Sequence, residues 1–387
     1  MGGSLDSREI VKQHAERAYG RAYDLSHRIH ANPELGFQEH LASGWLAEEL
    51  RSLGYETERG VGGLDTAVLG EIGSGDLVAV ICAEYDALPE IGHACGHNVI
   101  AAAALVAAAA LAPVAASHGI RVRVIGTPAE EGGGGKVILL ENGAFTGANL
   151  AMMVHPAPGE ADRMPVNAAV HLNVGYTGKT AHASAFPQLG INALDAMSIA
   201  QISIGLLRQH IYPYDRIHGI ITKGGDAPNV IPAQVEGAFI ARSKTLADLE
   251  ILRPRIERCF EAGALATGAT LSIEQPWPAY SEFVSDEDLA GLYVGEATAL
   301  GRVFPKLPPL LEASTDMANI SLEVPSIHPM LSIESWPAVN HQPEFTEAAK
   351  SAAADRAMYE GGVAMALTIL DAATSPLRER LLAHACR

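Results

Sequence analysis

Apolar positions recur at helical spacing over Ser7–His30 and again over Gln38–Leu53, with the turn-forming Ala31-Asn-Pro-Glu-Leu-Gly between them, so two linked helices are predicted. Three short apolar runs follow: Leu77–Ala83, Ile120–Gly126 and Leu150–Val154. Their near-continuous aliphatic character, with helical stretches between, predicts an α/β fold with a mostly parallel sheet covered by helices. The longest apolar run, Val99–Ala112, has 14 residues and stops at Pro113. That is too short to span a bilayer and predicts a buried helix.

From about His171 the pattern changes. Strands are predicted over His171–Lys179, Ile217–Thr222, Gln234–Arg242 and Thr270–Glu274, with helices over Asn192–Gln209 and Leu246–Ala266. The order β-α-β-β-α-β is that of a ferredoxin-like unit of roughly 110 residues. This places an inserted lid or dimerisation domain at 168–278 between two parts of a catalytic domain, 1–167 and 279–387. The second part is expected to hold a helix over Asp286–Leu300, strand-like segments around Ile327–Ile333 and a long helix from Thr346.

Length adds support for two domains, since 387 residues exceed what one compact core usually holds. The net charge of −18, without a dense Lys/Arg cluster, argues against nucleic acid or an anionic membrane surface as partner. Residues 1–7 show neither a basic segment followed by an apolar one nor a myristoylation pattern, Asp6 standing where Ser or Thr is required. Four scattered cysteines, Cys82, Cys95, Cys259 and Cys386, fit a reducing compartment, and a cytoplasmic location is expected.

The chemistry gathers where the predicted strands end, as expected of parallel sheets. Leu77–Ala83 runs into Glu-Tyr-Asp-Ala-Leu-Pro-Glu-Ile-Gly-His-Ala-Cys-Gly-His-Asn, which contains Asp86, His93, Cys95 and His97. Cys95 and His97 are two apart, so in extended chain both side chains leave the same side. Asp86 is placed to hold a ligating histidine in one tautomer, and His93 is open to a supporting or purely structural role. Ile120–Gly126 leads to Glu130 and Glu131, adjacent carboxylates that diverge, so one can bind a metal while the other faces water. Leu150–Val154 leads to His155, and His341 sits in a polar turn, Asn340-His-Gln-Pro-Glu-Phe. Cys95, His97, Glu131, His155 and His341 exceed the needs of one tetrahedral zinc and suit two divalent metal ions, zinc or manganese. The tract Gly132–Gly135 with Lys136 lacks the ending of a phosphate loop and reads as close backbone packing.

These motifs resemble the dinuclear metallopeptidases related to aminoacylase 1 and carboxypeptidase G, in their amidohydrolase branch. His-Ala-Cys-Gly-His at 93–97, Pro-Ala-Glu-Glu at 128–131, His155 and His341 are that branch's landmarks, in order. Glu84-Tyr-Asp-Ala-Leu-Pro, Arg216-Ile-His-Gly-Ile-Ile-Thr and Ser314-Thr-Asp look most like the Xaa-Arg dipeptidase and p-aminobenzoyl-glutamate hydrolase subgroup. The resemblance implies a bridging Cys95, with His97 and His155 on one metal and Glu131 and His341 on the other. It implies a bridging hydroxide as nucleophile, Glu130 as general base, and His182 reaching across a homodimer to polarise the scissile carbonyl. Asn229 and Arg242 would hold the substrate, with His218, Ser314 and Thr315 in the pocket. Two departures stand out: Asn98, where the wider branch commonly has Asp, and Glu90, where subgroup members often have Gly. The activity implied is hydrolysis of the amide bond of N-aminoacyl or N-acyl amino acids by a dipeptidase. An N-acyl amino acid deacylase or a catalytically silent binding protein on the same fold are the alternatives.

Overall fold

A computed structural model describes residues 6–305 and 313–386. Residues 1–5, read above for targeting signals, lie outside them. The chain divides into two compact units, one formed by Met1–Pro165 with Phe283–Arg387 and the other by Val166–Glu282.

At the centre of the first unit is the strand Leu77–Ala83, whose seven residues are all buried. It pairs in parallel with Ile120–Gly126 on one side and Leu150–Met152 on the other, and the latter pairs in parallel with Ser326–Ile327. Burial on both faces explains why Leu77–Ala83 and Leu150–Met152 are apolar throughout, whereas Ile120–Gly126 alternates in its first half, where Arg121 and Arg123 are half-buried. The register Ala83↔Gly126 and Ile81↔Met152 brings the ends of three strands level. Two antiparallel strands, Glu56–Arg59 and Val68–Gly73, extend the sheet beyond Ile120–Gly126. The apolar run becomes the helix His97–Leu111, buried on every side as its all-round apolarity requires. The long helix expected from Thr346 is two helices, Pro343–Ala348 and Ala352–Thr374, because the Ser351 side chain caps a new start by accepting from Ala354 N.

The second unit is a four-stranded antiparallel sheet of Ala168–Thr177, Arg216–Lys223, Gln234–Ser243 and Thr270–Glu274. In space Thr270–Glu274 and Gln234–Ser243 flank Ala168–Thr177, and Arg216–Lys223 forms the far edge. Helices Ala193–Leu207 and Leu246–Thr267 cover one face, packing on Val170, Leu172, Val174, Tyr176 and Phe239. That is the ferredoxin-like order. The opposite face carries His171 and His218, both in register with Ile240, and Arg242 two positions on.

Candidate metal centre

Each strand end in the first unit delivers the side chains its sequence promised. Cys95 and His97, however, do not lie in extended chain. Gly96 between them has φ +80°, a left-handed conformation that glycine adopts without steric cost, and the helix begins at His97. The turn is fixed by Gly96 N donating to His93 O at 3.1 Å and by His341 N donating to Ala94 O at 2.8 Å, which ties the late histidine loop to the cysteine. The Pro-Ala-Glu-Glu turn is held as closely: a Cβ on Gly135 would stand 1.9 Å from Pro128 O. Ala129 and His341 themselves have φ of +57° and +67°, backbone strain of the kind found where side chains must be aimed.

Three ligand atoms, one each from Cys95, His97 and His155, lie within 4.8 Å of one another, and so do three from Cys95, Glu131 and His341. Cys95 belongs to both groups. Cys95 Sγ is 3.5 Å from His155 Nε2, and His341 Nε2 is 3.5 Å from Glu131 Oε2. Ligands at zinc bond lengths in a tetrahedron stand about 3.3–3.6 Å apart, so these separations fit side chains converging on shared ions. His97 Nδ1 lies 2.9 Å from Asp86 Oδ1, and Asp86 Oδ2 accepts from Glu131 N at 3.0 Å. Asp86 therefore turns Nε2 of His97 inward, where that atom and Glu131 Oε1 find no hydrogen-bond partner among the described residues. His155 is oriented likewise, its Nδ1 2.9 Å from Pro156 O. Orphaned acceptors aimed at a common point are what a cation would satisfy.

The electrostatics agree. Burial opposes the charged form of His97, but Asp86 and Glu84 outweigh it and raise its pKa well above the usual range. Burial, then the charges of Glu84, Glu131 and Asp316, hold the Glu130 carboxyl well above its ordinary value. Burial and the Glu131 charge do the same to the Cys95 thiol. Glu130 and Cys95 therefore hold protons in the metal-free protein that bound cations would displace.

Glu39, buried behind this turn, accepts from Ala129 N at 2.9 Å and from Thr66 Oγ1 at 2.8 Å. Burial, then the charge of Asp86, pushes its pKa from 4.5 up to about 7. A folded carboxyl that holds its proton more tightly than the unfolded one stabilises at low pH and loses that advantage as pH rises. Metal-free protein is therefore expected to lose about 3 kcal/mol of stability between about pH 4.5 and 7 through this group. Glu39→Gln should flatten that part of the profile, measured by denaturant unfolding at a series of pH values. An unchanged slope would count against it.

The remaining predicted residues lie elsewhere. Thr315 is buried and its hydroxyl accepts from Met317 N at 3.2 Å, a contact at the start of the helix Met317–Glu323, while Ser314 is half-buried. In the inserted unit His182 and Asn229 are both exposed and meet through Ala183 N donating to Asn229 O at 3.0 Å. Arg242 is half-buried and His218 exposed; burial and then the Arg242 charge lower the pKa of His218 and take that of His171 down to about 4. His93 is buried, with Nε2 3.1 Å from Ile29 O. Asn98 donates through Nδ2 to Ser26 Oγ and to Ala349 O, both at 2.9 Å, bonds that an Asp carboxylate lacks the donor to make. Glu90 occupies φ +67°, a left-handed conformation that glycine adopts without steric cost.

Sequence reasoning passes over Glu84, Lys136, Asp316 and His328. His328 follows the strand Ser326–Ile327 as His155 follows Leu150–Met152, so the same strand-end logic would find it. It is buried, its ring edge-on to His155 at 5.4 Å, with neither ring nitrogen partnered among the described residues.

A covered parallel sheet with a thiol, histidines and carboxylates at its strand ends is the setting of a metallopeptidase acting on amide bonds. The chain belongs to the peptidase family M20/M25/M40, whose pattern matches residues 80–364. It is 39% identical to the Xaa-Arg dipeptidase of Mus musculus, over 95% of this chain and 90% of that one. It is 33% identical to a p-aminobenzoyl-glutamate hydrolase chain of Escherichia coli K12, over 65% of this chain and 56% of that one. The crystal structure of the Bacillus subtilis YXEP protein, a dinuclear metal binding peptidase from the M20 family, matches with a TM-score of 0.64. That match is at 22% identity and covers 90% of this chain and 98% of the other. No described helix is long and apolar enough to cross a membrane.

Proposed function

We propose that this protein is a two-metal dipeptidase that hydrolyses the amide bond of N-aminoacyl amino acids, with Glu130 as general base. The observation carrying this reading is the pair of ligand groups that share Cys95. Cys95, His97 and His155 would hold one divalent ion and Cys95, Glu131 and His341 the other. Ions bound there would polarise the scissile carbonyl and acidify a water. Glu130, only 7% exposed, takes the proton of the attacking water on its carboxylate and returns it to the leaving amine. Asp86 holds His97 in the tautomer that keeps Nε2 available. In the same reading His182 of a second copy donates to the carbonyl oxygen, and Asn229 and Arg242 grip the substrate's carboxylate. The exposure of His182 and Asn229, and their meeting in one loop pair, support this assignment. That no disulfide joins the four cysteines supports a reducing, cytoplasmic setting.

The likeness to the Xaa-Arg dipeptidase favours an aminoacyl over an acyl group on the scissile nitrogen, and a basic residue on the leaving side. The test is a profile of kcat/KM on zinc- or manganese-reconstituted protein, across dipeptides and N-acyl amino acids that share each leaving residue. Faster cleavage of the dipeptides is expected. Preference for acyl substrates would make it a deacylase, and no cleavage with two metals bound would make it a binding protein.

A further inference from the structure

We propose that Glu84 is a further ligand for the cation on His97, locked in that role by Lys136 and Asp316. This rests on the two-metal reading above. Glu84 is the first residue beyond the strand Leu77–Ala83 and is fully buried, as are Lys136 and Asp316. Lys136 Nζ donates to Glu84 Oε1 at 2.5 Å and to Asp316 Oδ1 at 2.7 Å, and Asp316 Oδ2 accepts from Lys136 N at 2.9 Å. The triad thus pins one oxygen of Glu84. Its other oxygen, Oε2, has no hydrogen-bond partner among the described residues, and it stands 3.3 Å from His97 Nε2, which has none either.

In the metal-free protein a protonated His97 faces that oxygen as a buried ion pair. Asp86 engages Nδ1, so what lies between Nε2 and Oε2 must be positive: a proton in the metal-free protein, a cation once Nε2 serves as a ligand. Two ligand atoms bound at zinc distances in a tetrahedron are about 3.3–3.4 Å apart, the separation seen here. Charge points the same way: one lysine faces two carboxylates, leaving the triad with a surplus negative charge that buried surroundings tolerate only when it is paired. Atoms of Glu84, His97 and Glu130 also fall within 4.8 Å of one another, so the extra oxygen lies on the Glu130 side of the histidine. An added carboxylate would make the two ions chemically unequal and shift the His97 ion toward harder metals that accept more oxygen ligands.

Crystals of zinc-loaded wild-type protein, with anomalous scattering measured at the zinc edge, test this without altering the triad. Glu84 Oε2 is expected within about 2.3 Å of the zinc on His97; a separation beyond about 3 Å overturns the proposal. In chelator competition, Glu84→Gln should weaken one of the two zinc ions at least tenfold and leave the other unchanged. Unchanged affinity for both in a folded variant overturns it as well. Protein that binds no divalent ion overturns both this proposal and the two-metal reading, whereas two bound ions with Glu84 remote overturn this one alone.

Discussion

Replacing Glu130 by Gln is expected to lower kcat by about 10³-fold or more while leaving two metal ions bound per chain, because general base catalysis by a positioned side chain is worth about 10²–10⁴-fold. The geometry separates its task from that of its neighbour. Glu131 Oε2 meets His341 Nε2 at 3.5 Å and falls with His341 and Cys95 in one ligand group, whereas Glu130, with Oε2 3.9 Å from His97 Nε2, falls with His97 and Glu84. Burial and the surrounding carboxylates raise the Glu130 pKa in the metal-free protein, and two nearby cations act in the opposite direction, returning it toward the range of a working base. An amide keeps the shape but takes no proton. Metal analysis alongside single-turnover rates checks the prediction, and a variant with undiminished turnover would remove Glu130 from the mechanism. Glu131→Gln makes the contrast, since it should lose metal first.

How far the site is legible in the sequence depends on the range over which each feature acts. Leu77–Ala83 announces itself because burial on both faces demands an unbroken apolar run, while Ile120–Gly126 is read through its alternating Ile-Arg-Val-Arg-Val, and the strand ends point to His155 and the Glu130–Glu131 pair. The strands Glu56–Arg59 and Val68–Gly73 give no such signal: the first is largely exposed and the second carries Gly, Glu and Gly among its six residues. Spacing pairs Cys95 with His97 correctly but for a wrong geometric reason. It invokes extended chain, whereas Gly96 makes a left-handed turn into a helix, and convergence comes from that turn. The triad of Glu84, Lys136 and Asp316 is held by bonds between positions 52 and 180 residues apart, and a lysine after four glycines carries no local sign that it is buried. The broken helix at Ser351 and the tether at Asn98 belong to the same class. Each depends on a partner that only the folded chain supplies.

Cys95→Ala should reduce bound metal from two ions per chain to fewer than one and abolish measurable turnover, with the fold retained. A terminal ligand such as His341 serves one ion, so its loss leaves the other group of three intact. Cys95 serves both, and without it each group is left with two protein ligands. The thiol is held neutral in the metal-free protein by burial and by the charge of Glu131, so ion binding must displace its proton. Metal affinity is therefore expected to rise with pH in the wild type, and that slope should shrink in Cys95→Ala. Circular dichroism serves as the control, because Cys95 lies in a turn fixed by backbone bonds to His93 and His341, which Ala preserves. Cys95→Ser should fall between the two, since its hydroxyl keeps the position but gives up a proton far less readily than a thiol. An alanine variant that still carries two tightly bound ions would show that each group closes without the sulfur, and the shared ligand would have to be sought among the carboxylates, with Glu84 the first to examine.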